Sequence, residues 1–137
     1  MRALSIRQPY AELILRGIKR IEYRSRPTRI VGERFWIYAA GKWPVAGGRL
    51  PLKPKQVWSD NLTTTGDAPP PWMLELANAL RLFPDDLPTG VIVGSAVIER
   101  ITPRDDGMFQ WHLAGVERAK RLRKPRGHPQ PVWFNPF

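Results

Sequence analysis

Apolar residues fall into short runs separated by glycine, proline and charge, and the spacing inside each run predicts its element. Ala3 to Ile6 is short and apolar, the pattern of a first strand. Pro9 at a first helical turn, with Tyr10, Leu13 and Ile14 at spacings of three and four, predicts a helix that ends near Gly17. Gly17 can take the left-handed conformation that closes a helix, which puts Lys19 in a tight turn. If Arg20 to Arg24 is extended, Ile21 and Tyr23 face one side, suited to a core. Glu22 and Arg24 then face the other side, close enough to hold each other. Residues 25–33, with Pro27 and Gly32, read as a loop that carries Arg26 and Arg29.

Phe35 to Ala40 is aromatic and apolar on both faces, the pattern of a central strand, and Gly41 to Pro44 breaks it. Pro44 to Pro71 is rich in Gly, Pro, Thr and Asn and reads as one long loop. Pro71 opens a second helix whose apolar side is Met73, Leu74, Ala77, Leu80 and Leu82, ending before Pro84. Val91 to Ile101 is β-rich, and Gly94 within it marks a bulge or a close backbone approach. Phe109 to Val116 predicts a further strand, while Glu117 to Lys124 fits either a strand or a turn of helix. Pro131 to Phe134, flanked by prolines, predicts an edge strand. The sum is an α+β chain, mostly β, in a single domain over residues 1–137, with 44–88 as a variable loop and helix insertion.

Charge adds a partner to this outline. The 137 residues carry a net charge of +10 with an isoelectric point near 10.9. Residues 1–34 hold nine bases against three acids, 59–110 hold eight acids against three bases, and 111–137 hold six bases against one acid. A folded chain with basic flanks and an acidic middle has a positive side. Sixteen of the 22 bases are arginine, which suits phosphate forks and stacking on bases. Nucleic acid is the partner such a field predicts, RNA first and single- or double-stranded DNA second. A membrane partner is not expected: no basic amphipathic helix and no apolar run of bilayer length is present. The chain has no cysteine and no signal-like N-terminus, so a cytoplasmic location is the expectation.

Metal chemistry has no ligand set. His112 and His128 stand sixteen residues apart with no cysteine near them, and there is neither a phosphate-binding glycine loop nor a nucleophile elbow. No cofactor is expected. His112 reads as structural between Trp111 and Leu113, and Phe35, Trp36 and Trp111 as core. The candidates for nucleic-acid contact are Gln8, Tyr10, Lys19, Glu22, Arg24, Arg26, Lys42, Trp43 and His128. The basic run Arg118, Lys120, Arg121, Arg123, Lys124 and Arg126 is the strongest phosphate-contact candidate. Trp43, beside Pro44 at a strand end, is the best candidate for an exposed stacking ring.

Leu4-Ser5-Ile6-Arg7-Gln8-Pro9-Tyr10-Ala11, followed by Gly17-Ile18-Lys19-Arg20-Ile21-Glu22-Tyr23-Arg24, resembles the start of an ASCH domain (the activating signal cointegrator 1 homology module), within the wider PUA-like group. Tyr10 stands where that pattern has Trp. Gly90 to Ala96 and Gly127 to Trp133 also fit. The resemblance implies a small mixed β-barrel with a helix after the first strand, and a nucleic-acid-binding role. It suggests a cleft floored by Lys19, Glu22 and Arg24 and rimmed by Gln8, Tyr10 and Lys42. The alternative it implies is a small hydrolase acting on RNA or on an acetylated cytidine, with Lys19, Glu22 and Glu75 as catalytic candidates. Glu22 occupies the position of the threonine nucleophile in such amidohydrolases, and a carboxylate does not replace a hydroxyl in acyl transfer. A monomer is expected, with a protein partner docking on the 44–71 loop as a further option.

Overall fold

In chain order the elements are β1 (Ala3–Gln8), α1 (Tyr10–Leu15), β2 (Ile21–Arg24), β3 (Arg34–Lys42), β4 (Val45–Ala46), β5 (Val57–Trp58), α2 (Trp72–Ala79), a 3-10 turn (Pro84–Asp86), β6 (Val91–Pro103), β7 (Phe109–Arg123) and β8 (Trp133–Phe134). They come from a computed structural model that describes residues 1–42, 45–46, 57–58 and 72–137, with backbone alone at 42, 45–46 and 57–58. Most of the predicted 44–71 loop lies outside the described residues, apart from the short β4–β5 ladder.

Six strands form one sheet in the order β2-β7-β6-β3-β1-β8. β1 and β3 run parallel, because α1 and β2 return the chain to the same end, and every other pairing is antiparallel. The fold is α+β and mostly β, as the sequence predicts. The expected barrel is not closed: among the described residues no ladder joins β2 to β8. The sheet nevertheless curls until its margins touch. Trp111 of β7 stacks on Trp133 of β8 at 6.0 Å, and Arg24 Nη2 of β2 donates to the Ser5 carbonyl of β1 at 2.9 Å. Side chains, rather than backbone hydrogen bonds, bridge the seam.

β3 is central and apolar on both faces. Phe35, Ile37 and Ala39 enter the main core with Leu4, Ile6, Leu13, Ile14, Val93, Ile98 and Trp111, which α2 covers with Met73, Leu74 and Ala77. On the opposite face Tyr38 joins Ala3, Ile92 and Phe134 in a smaller cluster. Trp36 packs against that second cluster only half-buried, so it is not the core residue that its strand suggested. Leu80, expected on the apolar side of the second helix, lies beyond its end and is exposed.

Gly94 is both a bulge and a close approach. The ladders on either side of it slip register, between Ile92 and Gly94 on β6 and between Ile37 and Tyr38 on β3. A Cβ at this position would stand 2.5 Å from the Glu117 carbonyl oxygen and 2.5 Å from Leu15 Cδ2 of α1. The bare backbone is what lets the helix rest on the sheet. β7 runs on to Arg123, so 117–123 are strand rather than helix and Lys124 lies just beyond the strand end.

Candidate nucleic-acid interface

Helix α1 ends as Gly17 takes φ +75°, and the Ile18 and Lys19 N–H groups both donate to the Leu13 carbonyl at 3.0 and 3.1 Å. That turn folds Lys19 inward and leaves it 1% exposed. Its ammonium donates to the Ile21 carbonyl and to Glu22 Oε1, the latter at 3.1 Å, and lies 5.3 Å from the Tyr23 ring centroid. Glu22 Oε2 accepts from Arg24 Nη2 at 3.2 Å, and the Arg24 guanidinium stands 5.8 Å from the Trp111 ring. Glu22 is thus held by two cations inside the curl of the sheet.

This corrects the predicted facing of β2. Glu22 is the buried residue of the strand, while Ile21 and Tyr23 are only partly covered. Alternation named the faces, but not which of them turns inward. Burial alone would raise the Glu22 carboxyl; Lys19 and Arg24 outweigh it and hold the group below the ordinary carboxylate value. For Lys19 burial wins, pulling the ammonium below its ordinary value although Glu22 opposes it.

Gln8 is fully buried and structural in its contacts: its amide donates to the Pro88 carbonyl at 3.0 Å, and its Oε1 accepts the Glu12 N–H at 3.0 Å. Tyr10 is buried beside it, and burial followed by the Glu22 charge raises its phenol. The structure therefore brings Gln8, Tyr10, Lys19, Glu22 and Arg24 together, but beneath the surface. Trp43 and the side chain of Lys42 lie outside the described residues. Arg26 is exposed, and its carbonyl accepts the Trp111 indole N–H at 3.0 Å. His128 is exposed in the C-terminal loop. His112 pairs with Thr102 Oγ1 at 2.8 Å; burial, then the Arg100 charge, lowers it.

The basic run divides into two kinds of residue. Lys120, Arg121, Lys124 and Arg126 are exposed, and among the described residues no carboxylate lies within ion-pair distance of them. Arg118 is committed elsewhere. It grips Glu12 with both Nη atoms, at 2.9 and 2.8 Å, and Arg16 Nε donates to the same carboxylate at 2.8 Å. Burial would raise Glu12, but its hydrogen bonds to Arg118 and Arg16 hold it low. Sequence reasoning missed this clamp, although Glu12 and Arg16 at i, i+4 were its local signal. At the opposite end of the β6–β7 hairpin two of the acids are paired with neighbours, Glu99 with Arg100 at 3.4 Å and Asp106 with Arg104 at 3.3 Å. Uncompensated positive charge therefore gathers at the 120–126 end.

The family model for the ASCH domain matches residues 4–124, from the first strand through the basic run. The chain belongs to the ASCH domain family. It is also 36% identical over 98 residues to activating signal cointegrator 1 of Mus musculus. That match covers 66% of this chain and 13% of the mouse protein, so the chain spans about an eighth of the length of that relative. Of the three catalytic candidates, Lys19 and Glu22 lie together within the ASCH motif and Glu75 lies outside it. Lys19 is enclosed and bound to Glu22, whereas Glu75 is exposed on α2 and makes no ion pair with either among the described residues.

Proposed function

We propose that this ASCH domain binds nucleic acid, RNA in preference to DNA, through the basic end of β7. One observation carries the reading: Lys120, Arg121, Lys124 and Arg126 stand exposed in a single stretch, and among the described residues no carboxylate pairs with them. Such cations are the form that sequence-independent phosphate contact takes. The preference for RNA rests on the family resemblance together with arginine-rich chemistry suited to unpaired bases. In this reading the Lys19–Glu22–Arg24 trio shapes the domain from inside, and the ligand meets the surface.

Fluorescence anisotropy of labelled single- and double-stranded RNA and DNA across a salt series tests it. Four phosphate contacts to a single strand give a slope of about −3 in log affinity against log salt. Between about 50 and 200 mM salt that is a loss of roughly 50-fold. Replacing the four cations by glutamine flattens the slope. Absence of binding to all four probes at low salt sinks the proposal, and cleavage of the probe that depends on Lys19 replaces it with the hydrolase.

A further inference from the structure

The outer face of the sheet, opposite the main core, carries a second arrangement at the end of β7. Trp36 projects from β3 there, and Phe137 meets it edge-on, with ring centroids 6.4 Å apart and planes at 88°. The Arg123 guanidinium lies against both rings, 5.2 Å from the Trp36 centroid and 4.3 Å from that of Phe137. The backbone fixes Phe137 in place: the Arg126 and Gly127 N–H groups both donate to the Pro136 carbonyl, at 2.6 and 2.8 Å. Gly127 sits so close to this segment that a Cβ would overlap the Asn135 carbonyl oxygen. Arg123, Lys124, Arg126 and Phe137 line one open hollow.

The chemistry of that lining is specific. A guanidinium stacked on rings spends its faces on them and keeps its in-plane N–H groups for an anion. Among the described residues no Asp or Glu lines the hollow with the three cations, and the carboxylate that its lining does bear is the α-carboxylate of Phe137 in the 137-residue chain. Three cations against that one carboxylate leave about two positive charges around the hollow, more than a single phosphodiester, with one negative charge, requires. A terminal phosphomonoester carries about −1.5 to −2 near neutral pH and offers three acceptor oxygens. Phe137, 51% exposed, stands beside the hollow where an end base can stack.

We propose that this hollow seats the terminal phosphomonoester of a nucleic-acid strand, with the end base against Phe137. The inference rests on the nucleic-acid reading above and adds to it a preference for phosphorylated ends.

The test uses the full 137-residue chain and one short single-stranded RNA sequence in three forms: 5′-phosphorylated, 3′-phosphorylated, and hydroxyl at both ends. One phosphorylated form is expected to bind about tenfold more tightly than the hydroxyl form, and which one assigns the polarity of the strand. Arg123→Gln abolishes that gain, and Phe137→Ala, a truncation of an exposed ring, reduces it should the first variant fold poorly. Equal affinity for all three forms with a steep salt dependence overturns the inference and leaves the nucleic-acid reading standing. No binding to any form overturns both. A gain that survives in folded Arg123→Gln and in Phe137→Ala places the phosphate elsewhere and also overturns it.

Discussion

Replacing Lys19 by methionine keeps the length of the side chain and removes its charge from a position where it is completely enclosed. The Lys19 side chain is 0% exposed and that of Glu22 7%, so water cannot compensate the carboxylate that is left. Removing one partner of a buried pair costs roughly 3–5 kcal/mol, because an unpaired charge stays behind. Arg24 remains 3.2 Å from the other carboxylate oxygen, which places the expected loss at the low end, about 3 kcal/mol. For a chain of 137 residues this corresponds to a fall in Tm of roughly 10 °C. Urea unfolding followed by near-ultraviolet circular dichroism reads the loss, with the denaturant slope unchanged. Adding Glu22→Gln to Lys19→Met should recover part of it, with a coupling of about 1–3 kcal/mol between the two sites. A loss below about 1 kcal/mol for Lys19→Met, or strict additivity in the double variant, refutes the enclosed trio.

Two further outcomes follow from features elsewhere in the molecule. Gly94→Ala forces a methyl group against the Glu117 carbonyl and Leu15, and is expected to cost about 1–3 kcal/mol in urea unfolding; an unchanged midpoint means that α1 does not rest on β6. Glu12 and Glu22 are both held below their ordinary value of 4.5, so in acid the unfolded chain takes up their protons first. Their contribution is complete above pH 4.5 and is lost as the pH falls through the lower folded values. Unfolding free energy measured over a pH series should drop in that window, and Glu12→Gln should make the drop shallower.

Much of the architecture was legible because its signals are local. Pro9, Gly17, Gly94 and the prolines around Trp133 punctuate the chain where elements begin, bend or end, and β3 declares its central place by apolar residues on both faces. What stayed hidden depends on partners distant in sequence. The inward turn of Glu22 becomes favourable only because Lys19 is folded under by the Leu13 carbonyl and Arg24 is braced by Ser5. Nothing in Ile21 to Arg24 alone reveals that, and apolar Ile21 and Tyr23 argue for the opposite facing. Residues 117–124 carry no period because two of their arginines serve contacts outside the strand: Arg118 reaches Glu12, and Arg123 reaches Trp36. For the same reason the basic run looked uniform in sequence, although only some of its members are left to meet a ligand.

The pairing of β1 with β8 has a consequence for how such a domain can be carried. Ala3 lies opposite Phe134 and Leu4 opposite Trp133, so the chain comes in and goes out on neighbouring strands, about 5 Å apart. A unit with adjacent ends can be spliced into a surface turn of a longer polypeptide with little strain on either. Its ends can equally be joined and the chain reopened at the Arg104–Gly107 turn, a circular permutation that breaks no ladder of the main sheet.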